Sequence, residues 1–203
     1  MNTYTNNSNS KNPISRRIAV LSMSAIAVVN SISAIIQLTD EQSSQTTVVG
    51  IEHVSLACLM TTLLLLIPVL FHIAGITGKR AGAIIATLGC VPLFALCTSS
   101  NVTGEDASFF AAVAGPTNLL ITGGLITSAV AMWRTTNAPR ALVVALPLMW
   151  FAALPLSSLG GGLLVAAYWI AFAWLLENGR IESRRVASRR SAPLAEPIAA
   201  SAS

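Results

Sequence analysis

FHIAGITGKRAGAI, residues 71–84, decides the fold. Its Gly-Lys pair invites comparison with a phosphate loop, which needs Gly, four residues, then Gly-Lys followed by Ser or Thr. Ile73 stands where the first Gly belongs and Arg80 where the hydroxyl belongs, so the stretch makes no phosphate cradle. The residues on either side, 53–76 and 81–99, are helix-length apolar runs. The segment therefore reads as the short turn of a helical hairpin, with Gly75 and Gly78 in the turn and Lys79 and Arg80 as its charges.

Composition extends this reading to the whole chain. Hydrophobic residues make up 54% of the 203 and charged residues 10%, against about 25% charged in an average soluble domain. Long tracts between Arg17 and Arg180 carry no charge, and several exceed the roughly 20 residues that a helix needs to cross hydrocarbon. The predicted fold is all-α, a polytopic transmembrane helix bundle with spans at 18–38, 53–76, 81–99, 109–133, 141–156 and 161–176. The first span follows Arg16 and Arg17 like a signal sequence. Its apolar run is longer than the 7–15 residues of a signal core, so it is expected to stay as an anchor. The last two spans share only residues 141–179, and a shallow re-entrant hairpin is the alternative there.

Basic residues set the expected threading, because Lys and Arg near span ends stay on the cytoplasmic side. Lys11, Arg16, Arg17, Lys79, Arg80, Arg134, Arg140, Arg180, Arg184, Arg185, Arg189 and Arg190 all fall on one side of the six spans. Asp40, Glu41, Glu52, Glu105 and Asp106 fall on the other. Both termini are thus predicted cytoplasmic, in a plasma or inner membrane. Residues 1–16 and 179–203 are expected to be disordered tails around a membrane domain at 17–178. The formal charge of +4 does not indicate nucleic acid, since the cations sit at span ends and not on one basic and aromatic surface. The five arginines from Arg180 to Arg190 suit anionic lipid headgroups.

In lipid, helices associate where small residues let backbones approach. Gly82, Ala86, Gly89, Cys90, Leu93 and Cys97 form one narrow stripe on the third span. Similar pairs recur at Ala27 and Ser31, Gly124 and Ser128, and Gly162 and Ala166. Cys58, Cys90 and Cys97 make no zinc or redox pattern. Cys58 and Cys97 both fall near the outer surface, where they are candidates to pair.

No Asp, Glu, Lys or Arg lies deep in a span, which argues against proton-coupled transport. His53 and His72 are the only histidines, and about 28 Å of helix separates them, so they cannot share a metal or a haem. Glu52, His53 and Cys58 form a candidate cluster at the outer mouth, with Asp106 as a further metal ligand. An interfacial polar cap is the simpler reading, and His72 is expected to bond a neighbouring helix. Asn30 and Asn118 are the deepest amides, and each should face protein or a cavity. They are candidates to face each other in a polar pocket with Trp150 and Tyr168. Gly115-Pro116-Thr117 would loosen the fourth span beside Asn118, as in the broken helices of transporters. Trp133, Trp150, Trp169 and Trp174 read as interfacial anchors or lipid-facing bulk. Asn101-Val102-Thr103 is a glycosylation sequon in an outer loop. The signatures of hydrolases, metalloproteases and metal-dependent phosphotransferases are absent from the sequence.

ITGKRAGAIIATLG, residues 76–89, and GGGLLVAAYWIAFAWLLENGR, residues 160–180, resemble those of small six-helix membrane proteins of bacteria. The resemblance covers residues 16–178 and implies the architecture only, because such families have no established catalytic or binding residues. The expected role is non-enzymatic, with no cofactor: an accessory subunit of a larger complex, or a binder of a lipid or apolar molecule. The lipid bilayer and a protein partner or second copy are the expected partners. A small permease for a neutral or amphipathic solute is the alternative.

Overall fold

The computed structural model describes residues 15–39, 50–153 and 159–184. These form six helices: α1 (Arg16–Thr39), α2 (Glu52–Thr77), α3 (Ala81–Thr103), α4 (Phe110–Thr135), α5 (Arg140–Ala153) and α6 (Gly161–Glu177). The first four have 24, 26, 23 and 26 residues, each at least about 34 Å long and so long and apolar enough to cross a hydrocarbon core of about 30 Å. The last two have 14 and 17 residues, about 21 and 26 Å. The outer end expected for the fifth span, at Pro155 and Leu156, lies outside the described residues, as do Lys11, Asp40, Glu41 and Arg185 onward.

Local chemistry explains where the helices stop. Gly78 ends α2 with a left-handed φ of 68°, a conformation that glycine adopts without steric cost. Thr77 Oγ1 donates to Ile73 O at 2.9 Å and accepts from the Lys79 N–H at 3.3 Å, tying off the same end. The turn expected around 75–80 is thus only Gly78, Lys79 and Arg80, and Gly75 belongs to α2. Gly104 ends α3 in the same left-handed form, its N–H donating to Ser100 O at 2.9 Å. This places the sequon in the last turn of α3 and not in a loop.

Pro116 does not break α4, which runs unbroken through it and so corrects the expectation of a loosened helix. Proline takes the helical donor from the Ala112 carbonyl, and the two side chains that follow bond back into the same turn. Thr117 Oγ1 donates to Val113 O at 2.9 Å and Asn118 Nδ2 to Ala114 O at 2.7 Å.

Each helix packs against the next in sequence, and α1 closes the ring by packing against α6. A contact between α2 and α4 pulls these two together behind the centre, leaving α3 outside against both. The small-residue stripe of α3 is buried along its length. A Cβ on Gly89 would lie 2.6 Å from Thr117 O, and one on Gly82 2.7 Å from Gly124 O, so bare backbones touch there. Gly162 of α6 meets α1 in the same way, 2.6 Å from Asn30 O. Gly160 lies against Leu38 in the last turns of α1, so the α5–α6 hairpin runs nearly the full length of α1 and is not shallow.

Large apolar side chains are exposed on all six helices, among them Leu21, Leu64, Leu88, Leu119, Phe151 and Leu164. An exposed apolar surface on every helix is compatible with a flank that faces lipid. The two ends of the bundle differ in charge. Arg16, Arg17, Lys79, Arg80, Arg134, Arg140, Arg180 and Arg184 gather at the end formed by the start of α1 and the α2–α3 and α4–α5 turns. Glu52, Glu105 and Asp106 stand at the opposite end. Arg16 donates to the carbonyls of Leu176 and Glu177, so a cation caps the negative end of α6.

Residues 179–184 belong to the fold and not to a tail starting at 179. Ile181 is buried, Thr136 and Ser183 form an antiparallel bridge, and the Asn137 N–H donates to Glu182 O at 3.2 Å. Arg184 Nε donates to Thr136 O at 2.9 Å. The physical reason is apolar burial: Ile181 closes over Ile73, Met132 and Phe172 at the basic end.

Candidate functional site: a cavity at the acidic end

The ring encloses a cavity of about 310 Å³ between α1, α2, α4, α5 and α6, to which α3 contributes nothing. It starts among Gln37, Glu52, Ser55 and Asp106 at the acidic end and reaches Leu66, Leu125, Leu146 and Trp169 below. Glu52 and Leu66 are 14 residues apart on α2, so the cavity extends about 21 Å along the bundle. Beneath it Leu70, Ile73, Met132 and Phe172 are buried and fill the basic half. Polarity is graded with depth: carboxylates and hydroxyls at the mouth, an amide and a hydroxyl midway, aliphatic and aromatic groups below.

Asn30 supplies the amide. It is 8% exposed, and its Nδ2 donates to Ile26 O at 2.9 Å and to Thr62 Oγ1 at 3.1 Å. With both donors used inside the protein, its side-chain oxygen remains the acceptor and accepts nothing from the described residues.

Asn118 does not meet Asn30, which corrects the expected pairing. It lies on the α5 side of α4, where its Oδ1 accepts from Trp150 Nε1 at 3.0 Å. Helix α4 thereby fixes the indole of α5, and it is this indole, not Asn118, that lines the cavity. Tyr168 also stays outside: its hydroxyl donates to Leu142 O at 3.2 Å, and its ring packs edge-on against Trp169 at 5.1 Å between centroids. Of the four residues expected in the pocket, Asn30 and Trp150 form it, and Asn118 and Tyr168 brace it.

The outer-mouth cluster divides similarly. Glu52 and Cys58 line the cavity, whereas His53 turns away and its Nδ1 donates to Asn101 Oδ1 at 2.8 Å, joining α2 to α3. Among the described residues no three His, Cys, Asp or Glu side chains gather as metal ligands. All three cysteines are free, so Cys58 and Cys97 are not joined.

The tryptophans, expected at the lipid surface, separate into two classes. Trp133 and Trp174 are exposed at the basic end, under Arg140 at 5.1 Å and Arg180 at 5.9 Å. Trp150 and Trp169 are buried and face the cavity. A signal for this existed in α6, where Gly162, Val165, Ala166, Trp169, Phe172 and Leu176 recur at helical spacing on the buried face. Because the other face is equally apolar, hydropathy alone does not separate them.

No protein family, characterised protein or solved structure matches this chain.

Proposed function

We propose that the protein is a six-span membrane protein, with both termini in the cytoplasm, that binds an amphipathic small molecule in its central cavity. The cavity is the observation that carries this reading. Its volume lies at the lower end of the range for small-molecule pockets, and its polar-to-apolar gradient fits a molecule with a polar head and an apolar body. The basic end supports the orientation, because eight cations gathered on one side follow the rule that sets membrane topology. The polar end of the cavity then faces away from the cytoplasm.

The test is native mass spectrometry of the protein gently extracted from its own membrane, beside a Ser55→Trp variant that fills the mouth. A discrete small adduct on the unaltered protein, missing from the variant, is the expected result. A bare protein, or one carrying a reproducible polypeptide mass in its place, would count against binding and favour an accessory subunit. The one-sided polarity also supports a second reading, passage of the same molecule across the membrane. Uptake by vesicles containing the protein separates transport from binding alone.

A further inference from the structure

The charge and hydrogen-bonding character of the cavity narrow the class of molecule it takes. Its lining carries the carboxylates of Glu52 and Asp106 and, among the described residues, no Lys, Arg or His. All eight described arginines and lysines stand at the far end of the bundle. Midway down, Asn30 lines the cavity, with its Nδ2 already donating to Ile26 O and Thr62 Oγ1. Below it the indoles of Trp150 and Trp169 present aromatic surface, which attracts cations as well as apolar chains. Every distinctive feature of this lining asks for a positive, donor-bearing ligand with an apolar body. An anionic amphiphile would meet two like charges at the mouth and no counter-charge inside.

We infer that the cavity binds a protonated alkylamine, with its ammonium held by the carboxylates of Glu52 and Asp106 and its apolar chain directed down the cavity toward Trp150 and Trp169. This inference rests on the reading of the cavity as a small-molecule site and specifies the sign and donor character of the ligand.

Three probes of equal chain length test it on the full-length protein in neutral detergent at pH 7: hexylamine, hexanol and hexanoate. Binding is followed by the emission of Trp150 and Trp169 in a Trp133→Phe, Trp174→Phe background, and by adduct mass on the unaltered protein. Hexylamine is expected to bind roughly fivefold to tenfold more tightly than hexanol, the effect of one favourable ion pair in a partly hydrated site, and hexanoate more weakly than either. Raising the salt concentration should shrink the gap. In a Glu52→Gln, Asp106→Asn variant the ratio of hexylamine to hexanol affinity should fall toward one. Equal binding of hexylamine and hexanol, or a preference for hexanoate, overturns the charge assignment and leaves the small-molecule site standing. Absence of saturable binding by all three overturns both. The series on the unaltered protein does not depend on the variant folding.

Discussion

The α3–α4 interface and the central cavity share one helix, α4, and are built in opposite ways. Toward α3, α4 turns Thr117, Ile121, Gly124 and Ser128, and glycine meets backbone with no room for a methyl group. Toward the centre it contributes Phe110 and Leu125, opposite aromatic and polar groups that hold the helices apart around open space. Both faces are apolar, so hydrophobicity does not distinguish them. In lipid the distinction is made by side-chain volume: small residues bring backbones together, and large rings propped by hydrogen bonds keep a hollow.

The largest test of this contrast is Gly124→Val. A Cβ at Gly124 would stand 2.6 Å from Ala86 Cβ, and the obstacle is largely the α3 backbone, which cannot rotate away. The expected loss is about 3 kcal/mol, read as a lowered midpoint of thermal unfolding in detergent. Its neighbour Gly123 meets nothing within 4 Å. Gly123→Ala should therefore be neutral or stabilise by up to about 1 kcal/mol through helix propensity. Equal tolerance at both positions would mean that α3 is not held rigidly against α4.

On the hollow side the corresponding test is Asn118→Leu. The substitution leaves the Trp150 indole N–H without its acceptor at 3.0 Å, at an expected cost of about 1–2 kcal/mol. The indole should also lose its fixed orientation, so Trp150 emission shifts and amphiphile binding weakens beyond what the stability loss explains. Unchanged emission and binding would show that the cavity keeps its shape without this bond. The basic end provides an intermediate case. Ile181→Ala opens a gap against Ile73, Met132 and Phe172 and should cost about 2 kcal/mol, without altering binding at the acidic end.

How far the sequence revealed all this follows from the same physics. Helix number and placement were legible because length and apolarity are local properties, as in the runs flanking Gly78-Lys79-Arg80. The small stripe from Gly82 to Cys97 was legible because residue size at helical spacing is itself the packing signal. The cavity was only half legible. Asn30 stood out by its polarity, but its partner Thr62 is one of several hydroxyls on α2 that look alike in sequence. Asn118 was noticed and assigned to the wrong face, because a rotation of one or two residues about α4 exchanges the α1 and α5 sides. Ile181 was missed outright: a single apolar residue after Asn178-Gly179-Arg180 resembles the start of a tail until its burial is seen.

The smallest expected effect examines the packed side from within. Ser100 is 1% exposed on the last turns of α3, and its hydroxyl has no hydrogen-bond partner among the described residues. Its carbonyl is used, accepting the Gly104 N–H at 2.9 Å, so only the side chain is orphaned. A buried hydroxyl without a partner forfeits its hydration for nothing in return. Ser100→Ala removes that cost, keeps the backbone bond and slightly improves helix propensity, so a gain of about 1 kcal/mol in thermal unfolding is expected. A loss of stability instead would mean that the hydroxyl is satisfied by water. The acidic end of α3 would then be hydrated, and the line between a dry, closed interface and a wet cavity would have to be redrawn on the α3 side of the bundle.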